Sequence, residues 1–310
     1  MIHRELGGFC YHAARGFLDH LLDELPERDR VDGELVTVLG PRRRTFWTRN
    51  VWLSPILIEY SSVGDAAKKL RDIQRNWVAL PARLFRRAAL IAERLPPLPT
   101  KPKPFPFEVP ATPMGAFTLL DEGMLLASPS CSSPFPGGEF EFEEDHEGPP
   151  SRAYRKLWEA LLLAGRMPGR GEHCLDAGAA PGGWTWALAG LGASVLAIDR
   201  ADLDPRISAM PGVESRRGDA FALGPQEVGA VDWLFSDVIA YPPALLAWVE
   251  RWVDSGLAKN MICTIKMQGD FDRATTERFA AIPGSRVVHL WHNRHELCWI
   301  RVAGDRGLGS

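Results

Sequence analysis

The segment Cys174-Leu-Asp-Ala-Gly-Ala-Ala-Pro-Gly-Gly-Trp-Thr185 decides how the second half of this chain folds. It has the pattern of an apolar strand that runs into a glycine-rich turn and then into a helix. In open α/β sheets, ligands bind at the carboxyl ends of the strands, where this turn lies. Gly178, Gly182 and Gly183 let the backbone approach a ligand closely, because they carry no Cβ. The segment therefore predicts a ligand-binding loop.

The composition of this loop narrows the choice of ligand. It lacks the GxGxxG pattern that holds a pyrophosphate and the GK[ST] pattern that holds a triphosphate. A ligand with a ribose, an adenine and no phosphate, such as S-adenosylmethionine, fits better.

Three carboxylates after successive predicted strands support the same ligand. We expect Asp176 to face its ammonium group, Asp199 to accept from the ribose hydroxyls, and Asp219 to accept from the adenine amino group. An aspartate at the end of a strand is, taken alone, more typical of a helix cap or a turn. The three together, at these spacings, favour S-adenosylmethionine.

The loop from Asp176 to Thr185 is similar to the signature of the FtsJ/RrmJ-like ribose 2′-O-methyltransferases. The resemblance implies a Rossmann-like, class I methyltransferase domain of the α/β class with S-adenosylmethionine as cofactor. The expected cofactor-binding residues are Asp176, Gly178, Ala180, Pro181, Gly182, Gly183, Trp184, Asp199, Asp219 and Asp237.

The resemblance also implies a catalytic Lys-Asp-Lys-Glu tetrad, and each member has a counterpart here. Lys156 lies on the helix that leads into the domain, and Asp237 follows Leu234-Phe-Ser236. Lys266 ends a strand in Thr264-Ile-Lys-Met-Gln-Gly269, and Glu296 opens the last strand. A lysine at a strand end is by itself usually a solvated side chain. All four residue types occur here in the same order along the chain as in the family, which predicts that they form one catalytic site.

The chemistry explains the residue types of the tetrad. A ribose hydroxyl is a poor nucleophile at neutral pH, so it must be aligned with the methyl group and relieved of its proton. We assign Lys266 as the base or hydroxyl activator, since desolvation and nearby positive charge lower the pKa of a lysine. Asp237 orients Lys266, while Lys156 and Glu296 position the ribose and the ammonium groups. How four coupled groups share the proton stays open.

The rest of the second half predicts a largely parallel, doubly wound sheet. Apolar strand patterns, most of them separated by helical patterns, fall at residues 173–177, 194–199, 212–215, 231–236, 261–266, 286–291 and 296–302. A break rich in Ser, Pro and Gly, followed by an acidic run, precedes this region. We place the domain boundary there, with an N-terminal domain at residues 1–147 and the methyltransferase domain at residues 148–310.

The first half predicts a smaller α+β domain. Its patterns are a strand at 55–60, a helix at 63–73, a strand at 77–80, an arginine-rich helix at 81–95, and a hairpin of residues 116–120 and 124–127. The stretches Ser128 to Phe135 and Pro150 to Lys156 resemble the domain junction of RlmM-type methyltransferases of large-subunit ribosomal RNA. That resemblance implies a THUMP-like RNA-binding domain in front of the catalytic one.

The charge distribution is uneven although the net charge is only −3. Residues 41–103 carry 14 Lys and Arg against 4 Asp and Glu, whereas residues 104–150 carry 9 acidic residues and no Lys or Arg. We expect the first segment to bind RNA through Arg42, Arg43, Arg44, Arg49, Arg83, Arg86 and Arg87. Phe46 and Trp47 lie among these arginines as candidates for base stacking, although Trp47, Trp52 and Trp77 suit a hydrophobic core better.

Several classes of protein are not favoured. No apolar run is long enough to cross a bilayer, and the first 12 residues do not resemble a secretory signal, which predicts a cytoplasmic protein. The five cysteines are scattered and without a clustered partner, so neither a disulfide framework nor a metal site is predicted.

The sequence thus predicts a monomeric RNA ribose 2′-O-methyltransferase that acts on ribosomal RNA. Two alternatives remain: a methyltransferase for a small molecule or a protein, and a catalytically silent RNA-binding protein.

Overall fold

The computed structural model describes residues 3–99 and 101–304. The chain forms two compact units, one of Met1–Lys103 with Glu108–Glu141 and the other of Pro104–Phe107 with Phe142–Ser310. The division lies a few residues before the boundary expected from the sequence, and the short segment Pro104–Phe107 groups with the second unit.

The N-terminal unit contains two sheets and three helices in its described residues. Its strands are β1 (Arg4–Glu5), β2 (Gly8–Ala13), β3 (Arg30–Asp32), β4 (Leu35–Leu39), β5 (Thr48–Trp52), β6 (Ile56–Glu59), β7 (Trp77–Ala79), β8 (Gly115–Leu119) and β9 (Met124–Ser128). Its helices are α1 (Leu18–Glu24), α2 (Val63–Ile73) and α3 (Phe85–Ala92), with a 3₁₀ turn at Pro136–Gly138.

The two sheets divide the strands into an early and a late group. The four-stranded sheet has the order β3-β4-β2-β5, and the five-stranded sheet has the order β1-β6-β9-β8-β7. Helices α2 and α3 pack on the five-stranded sheet through a cluster that includes Leu70, Ile91 and Phe117. The predicted hairpin of β8 and β9, helix α2 and the α+β class are confirmed. The four-stranded sheet and α1 were not predicted from the sequence.

The aromatic residues among the predicted RNA-binding arginines are buried. Trp47 and Trp52 have no exposed surface, and Phe46 and Trp77 are each 3% exposed. Phe17 packs against Trp47 with ring centroids 4.6 Å apart. These rings build the core, so the alternative stacking role for Phe46 and Trp47 is wrong.

The C-terminal unit contains one sheet flanked by helices. Its strands are β10 (His173–Ala177), β11 (Ser194–Asp199), β12 (Val213–Arg217), β13 (Val231–Ser236), β14 (Ala258–Lys266), β15 (Ser285–Val288) and β16 (Glu296–Arg301). Its helices are α4 (Tyr154–Ala164), α5 (Gly183–Gly190), α6 (Pro205–Ser208), α7 (Pro225–Val228), α8 (Pro242–Ser255) and α9 (Arg273–Ala281). Helices α4 and α8 each end at a glycine in the left-handed conformation, Gly165 and Gly256.

The seven strands follow the order β12-β11-β10-β13-β14-β16-β15. Strands β10 to β14 are parallel, while β16 runs antiparallel to both β14 and β15. The predicted doubly wound sheet is therefore confirmed. The strand order reverses between β10 and β13, and such a reversal opens a crevice at the carboxyl ends of the strands.

The fold brings the expected site residues to this one edge. Asp237 follows the end of β13, and Lys266 ends β14. Because β16 is antiparallel, its first residue, Glu296, lies at the same edge and pairs directly with Lys266. None of the described helices combines the length and the apolar character that a bilayer crossing requires.

Candidate active site

The four tetrad residues meet at the sheet edge in one network of ion pairs. The ammonium group of Lys156 on α4 donates to both carboxylate oxygens of Asp237, at 2.8 and 2.9 Å, and lies 3.1 Å from Oε1 of Glu296. Nζ of Lys266 lies 3.4 Å from Oδ1 of Asp237 and donates to the backbone carbonyl oxygen of the same residue. The side chains are between 12% and 20% exposed, so the network is largely desolvated but open to a ligand.

The two lysines differ in their surroundings. Burial lowers the pKa of Lys156, but the negative charges of Asp237 and Glu296 outweigh it, and the net effect raises that pKa above its usual value. Lys156 therefore stays protonated at neutral pH. Lys266 contacts a single carboxylate at a longer distance. Lys156 is therefore a permanent cation between two carboxylates, whereas Lys266 has one carboxylate partner.

The glycine-rich loop approaches its neighbours too closely for a side chain at Gly178 and at Gly182. Gly178 has a φ of +83°, and a Cβ there would lie 2.7 Å from Cβ of Val238, the residue after Asp237. Gly182 has a φ of +115°, and its Cβ would lie 2.9 Å from Ile207. Both angles lie in the left-handed region that glycine adopts without strain. The loop therefore passes directly beside the tetrad.

Asp176 lies beneath this loop and is only 1% exposed. Its carboxylate accepts a hydrogen bond of 2.7 Å from the hydroxyl of Thr185 on α5. Burial raises the pKa of Asp176 to about 7; the Thr185 hydrogen bond opposes this, while the charges of Asp237 and Asp199 add to it. Its burial argues against the direct ammonium contact expected from the sequence, although its charge still acts on the crevice.

The two other strand-end carboxylates are accessible. Asp199 accepts from the backbone amides of Ala180 and Ala201, at 3.0 and 2.8 Å, which fixes it against the loop. The Asp219 side chain is 40% exposed and pairs with Arg200 at 2.6 Å. That pairing lowers the pKa of Asp219. The Asp219 carboxylate is therefore charged at neutral pH.

The remaining loop positions divide into accessible and buried ones. Gly178, Ala180 and Pro181 have exposed surface, whereas Gly182, Gly183 and Trp184 are buried. The indole Nε1 of Trp184 donates to the carbonyl oxygen of Ala153, just before α4. A Cβ on Gly183 would lie 2.4 Å from Oγ of Ser151. Trp184 and Gly183 thus hold the loop against the segment that begins the Lys156 helix, and their burial argues against direct cofactor contacts.

The predicted RNA-binding arginines differ in how exposed their side chains are. Arg42, Arg43, Arg44, Arg83 and Arg86 are exposed, and Arg87 is half-buried. Arg83 pairs with Asp32 at 2.7 Å.

Arg49 is the exception, because its side chain is only 7% exposed. It pairs with Glu34 at 2.8 Å and with Glu139. Two carboxylates therefore neutralise this guanidinium inside the N-terminal unit, and its placement argues against a phosphate contact.

Two exposed apolar side chains beside Asp237 were not singled out from the sequence. Ile239 is 75% exposed and Tyr241 is 66% exposed. Both lie in the segment between β13 and α8 that begins with Asp237. The available signal was the presence of two apolar residues in the loop that follows a catalytic candidate.

The fold and the site together define a class of protein. A parallel sheet with an antiparallel β16, a glycine-rich loop after its first strand, β10, and an acidic residue after the next strand form a Rossmann-like methyltransferase domain. S-adenosylmethionine is the cofactor of this methyltransferase fold. The accessible loop backbone and the carboxyl groups of Asp199 and Asp219 suit its ribose and adenine.

Comparison with known proteins narrows the class to a family. Residues 149–276 match the FtsJ-like methyltransferase family. The family resemblance predicted from the loop and the tetrad is therefore confirmed.

Two curated relatives carry the same description. The protein described as ribosomal RNA large subunit methyltransferase M from Halorhodospira halophila is 41% identical over 48% of this chain and 45% of its own length. The protein of the same description from Marinobacter nauticus is 29% identical over 89% of this chain and 77% of its own length. The chain spans about half the length of several curated relatives that it matches. A solved ribosomal RNA methyltransferase from Plasmodium falciparum is 15% identical, with a TM-score of 0.38, over 49% of this chain and 97% of that one.

Proposed function

We propose that this protein is an S-adenosylmethionine-dependent methyltransferase that modifies the 2′-hydroxyl of a ribose in large-subunit ribosomal RNA. The observation that carries the proposal is the convergence of Lys156, Asp237, Lys266 and Glu296 beside the cofactor loop. Two amines and two carboxylates in one crevice suit a reaction in which a hydroxyl must be held and deprotonated. The description of the curated relatives supports the RNA substrate.

The two lysines take separate roles in this proposal. The cofactor supplies an electrophilic methyl group on a sulfonium. Lys266 acts as the base that accepts the proton of the ribose hydroxyl, because it contacts one carboxylate at 3.4 Å. Lys156 remains charged between Asp237 and Glu296 and fixes both carboxylates. Asp237 orients Lys266, and Glu296 helps to position the ribose.

The cofactor site is the accessible part of the loop together with three carboxylates. We assign backbone contacts to Gly178, Ala180 and Pro181, the ribose to Asp199 and the adenine to Asp219. Val238, the residue after Asp237, lies so close to Gly178 that a Cβ on this glycine would clash with it. Asp237 is therefore near enough to Gly178 to act at the same end of the cofactor.

The buried carboxyl of Asp176 predicts that cofactor affinity depends on pH. Its pKa of about 7 means that it is mostly protonated below pH 7, and the cationic cofactor favours the charged form. Raising the pH from about 5.5 to about 7 should therefore lower the dissociation constant by up to about tenfold per pH unit. The free energy of unfolding should fall over the same range, because the folded protein retains a proton that the unfolded chain has lost.

Calorimetric titration with S-adenosylmethionine at several pH values measures the first effect. Asp176→Asn is the matched control, since it keeps the shape of the side chain but cannot ionise, and its affinity should not change with pH over this range. A wild-type dissociation constant that stays constant from about pH 5.5 to about pH 7 would show that Asp176 only anchors Thr185.

Two surfaces support RNA as the substrate: exposed apolar side chains beside Asp237 and exposed arginines of the N-terminal unit. Ile239 and Tyr241 offer exposed apolar area next to Asp237, and an aromatic side chain stacks on a base of any sequence. The N-terminal unit exposes Arg42, Arg43 and Arg44 in one continuous stretch. Guanidinium groups of this kind bind phosphate without reading the sequence. We propose that this unit is a THUMP-like RNA-binding domain and that Arg83, Arg86 and Arg87 contribute to it.

Reversing the charge of Arg42, Arg43 and Arg44 together to glutamate should weaken RNA binding. Each phosphate contact that is lost reduces the salt dependence of the logarithm of the binding constant by about 0.7 to 0.9, so the slope should become shallower by about 2 to 3. Binding of ribosomal RNA measured at several salt concentrations gives both quantities.

A second triple variant controls for the change in net charge. Lys68, Arg71 and Arg75 are also exposed and lie on or directly after α2. Their reversal should leave the slope close to the wild-type value. Equal losses in the two triple variants would mean that only net charge matters, and the arginine stretch would then have no specific role.

A direct assay decides between this function and its two rivals. The protein is incubated with isotope-labelled S-adenosylmethionine and, separately, with unmodified large-subunit RNA, small-subunit RNA, transfer RNA and a protein extract. We expect label in large-subunit RNA. Label in protein alone would favour the methyltransferase of another substrate class. Binding of RNA and cofactor without any transfer would favour the silent RNA-binding protein. The proposal further expects a cytoplasmic monomer that needs no metal.

A further inference from the structure

A second buried charged group lies one helical turn beyond Lys156. Glu159 on α4 has a side chain that is 5% exposed, and that of His292 beside it is 3% exposed. The carboxylate of Glu159 lies 2.7 Å from Nδ1 of His292. It also accepts from the backbone amides of Trp291 and His292, at 2.7 and 3.0 Å. A buried carboxylate is costly unless it is well hydrogen-bonded, and three contacts at these distances meet that requirement.

The segment that Glu159 holds leads directly to the active site. Residues 289–295 connect β15 to β16, whose first residue is Glu296. Nδ2 of Asn293 donates to the carbonyl oxygen of Glu296 at 3.1 Å. The backbone amide of Met267, next to Lys266, donates to the carbonyl oxygen of His295 at 3.2 Å. The loop is therefore bonded to both strands that carry tetrad residues.

These contacts join three elements at one point. Residues three apart on a helix share a face, so Glu159 and Lys156 project from α4 to the same side. Glu159 binds the loop, and Lys156 lies 3.1 Å from Glu296 at the end of that loop. The aromatic ring of Phe142 stacks on His292 with centroids 5.3 Å apart and limits the freedom of the imidazole.

We propose that the Glu159–His292 pair positions the active site by fixing the distance between Lys156 and Glu296. The pair binds the backbone of the loop that leads to Glu296, so it acts through the tetrad and is a positioning pair. A displacement of about 1 Å at a catalytic group costs on the order of 10²-fold in rate, which makes such a support important for turnover. The expected effect on turnover rests on the proposed function, whereas the fixed distance between Lys156 and Glu296 does not depend on it.

Three variants test the pair kinetically. Glu159→Ala and His292→Leu should each lower kcat by about 10- to 100-fold while the dissociation constant for S-adenosylmethionine changes by less than about twofold. His292→Asn should restore kcat to within about threefold of wild type, because its amide nitrogen can take the place of Nδ1 and donate to Glu159. Arg286→Ala is a control for stability, since it removes a hydrogen bond from β15 to the carbonyl oxygen of Leu163 on α4.

A second readout does not depend on methyl transfer. The raised pKa of Lys156 slows its acetylation by acetic anhydride, because only the neutral amine reacts. In Glu159→Ala, Glu296 is no longer held beside Lys156, so the acetylation rate of Lys156 should rise. In Arg286→Ala this rate should stay unchanged. Mass spectrometry of peptides measures the acetylation rate. If wild type modifies no RNA and this rate still rises, the proposed function fails and the positioning pair stands. If wild type is active and neither kcat nor the acetylation rate changes in Glu159→Ala, the positioning role is refuted.

Discussion

Lys266→Ala should reduce kcat for RNA methylation by about 10²- to 10⁴-fold, the range that a general base contributes. The reason is the position of its amine at the end of β14, 3.4 Å from Asp237 and beside the cofactor loop. Lys156 cannot take over this role, because it stays charged between two carboxylates. Affinity for S-adenosylmethionine should change by less than about threefold. Single-turnover kinetics with labelled cofactor measure the chemical step directly.

The same strand supplies a control for this variant. Lys259 lies at the opposite end of β14, where it pairs with Asp232 at 2.7 Å and is 65% exposed. Lys259→Ala removes the same side chain from the same strand and should leave kcat unchanged. Activity within about threefold of wild type in Lys266→Ala would exclude Lys266 as the base.

Asp237→Ala should lower kcat by a similar factor, for a different reason. The carboxylate of Asp237 lies within ion-pair distance of both lysines, so its loss removes the ion pair of Lys266 and leaves Lys156 paired with Glu296. The pKa of Lys156 should fall, because burial would then be opposed by a single carboxylate. Methyl transfer assays give the rate, and the acetylation rate of Lys156 gives the change in its protonation.

Asp232→Ala is the matched control for this second variant. Asp232 lies on β13, the strand that ends just before Asp237, and it pairs with Lys259 at the far edge of the sheet. Its replacement should change neither kcat nor the reactivity of Lys156. If Asp237→Ala retained wild-type turnover, the tetrad would be a structural ion-pair network with no catalytic role.

Much of the C-terminal unit could be predicted from the sequence, for a physical reason. Central strands of a parallel sheet are buried on both faces and appear as continuous apolar runs, so β10, β11 and β13 were predicted with their observed bounds. The convergence of the tetrad could be predicted because Asp237 follows β13, Lys266 ends β14 and Glu296 begins the last strand, so that all three border one crevice. The antiparallel direction of β16, which places Glu296 opposite Lys266, needed the coordinates.

The N-terminal unit shows why the remaining structure could not be predicted. Its four-stranded sheet pairs strands out of sequence order, and buried polar residues such as His12 and Asn50 break the apolar pattern. The sequence shows the charge of Arg49 but not the distant carboxylate of Glu139 that neutralises it. Likewise, Glu159 reads as a surface residue of an amphipathic helix, because its partner His292 lies 133 positions away.

The central claim is that the tetrad directs the methyl group to a ribose oxygen and not to a base. The most direct measurement is mass spectrometry of nucleosides from large-subunit RNA that the protein has methylated with labelled S-adenosylmethionine. We predict label in a 2′-O-methylnucleoside and none after incubation with Lys266→Ala. Label on a nucleobase, in the wild-type protein or in that variant, would contradict the account.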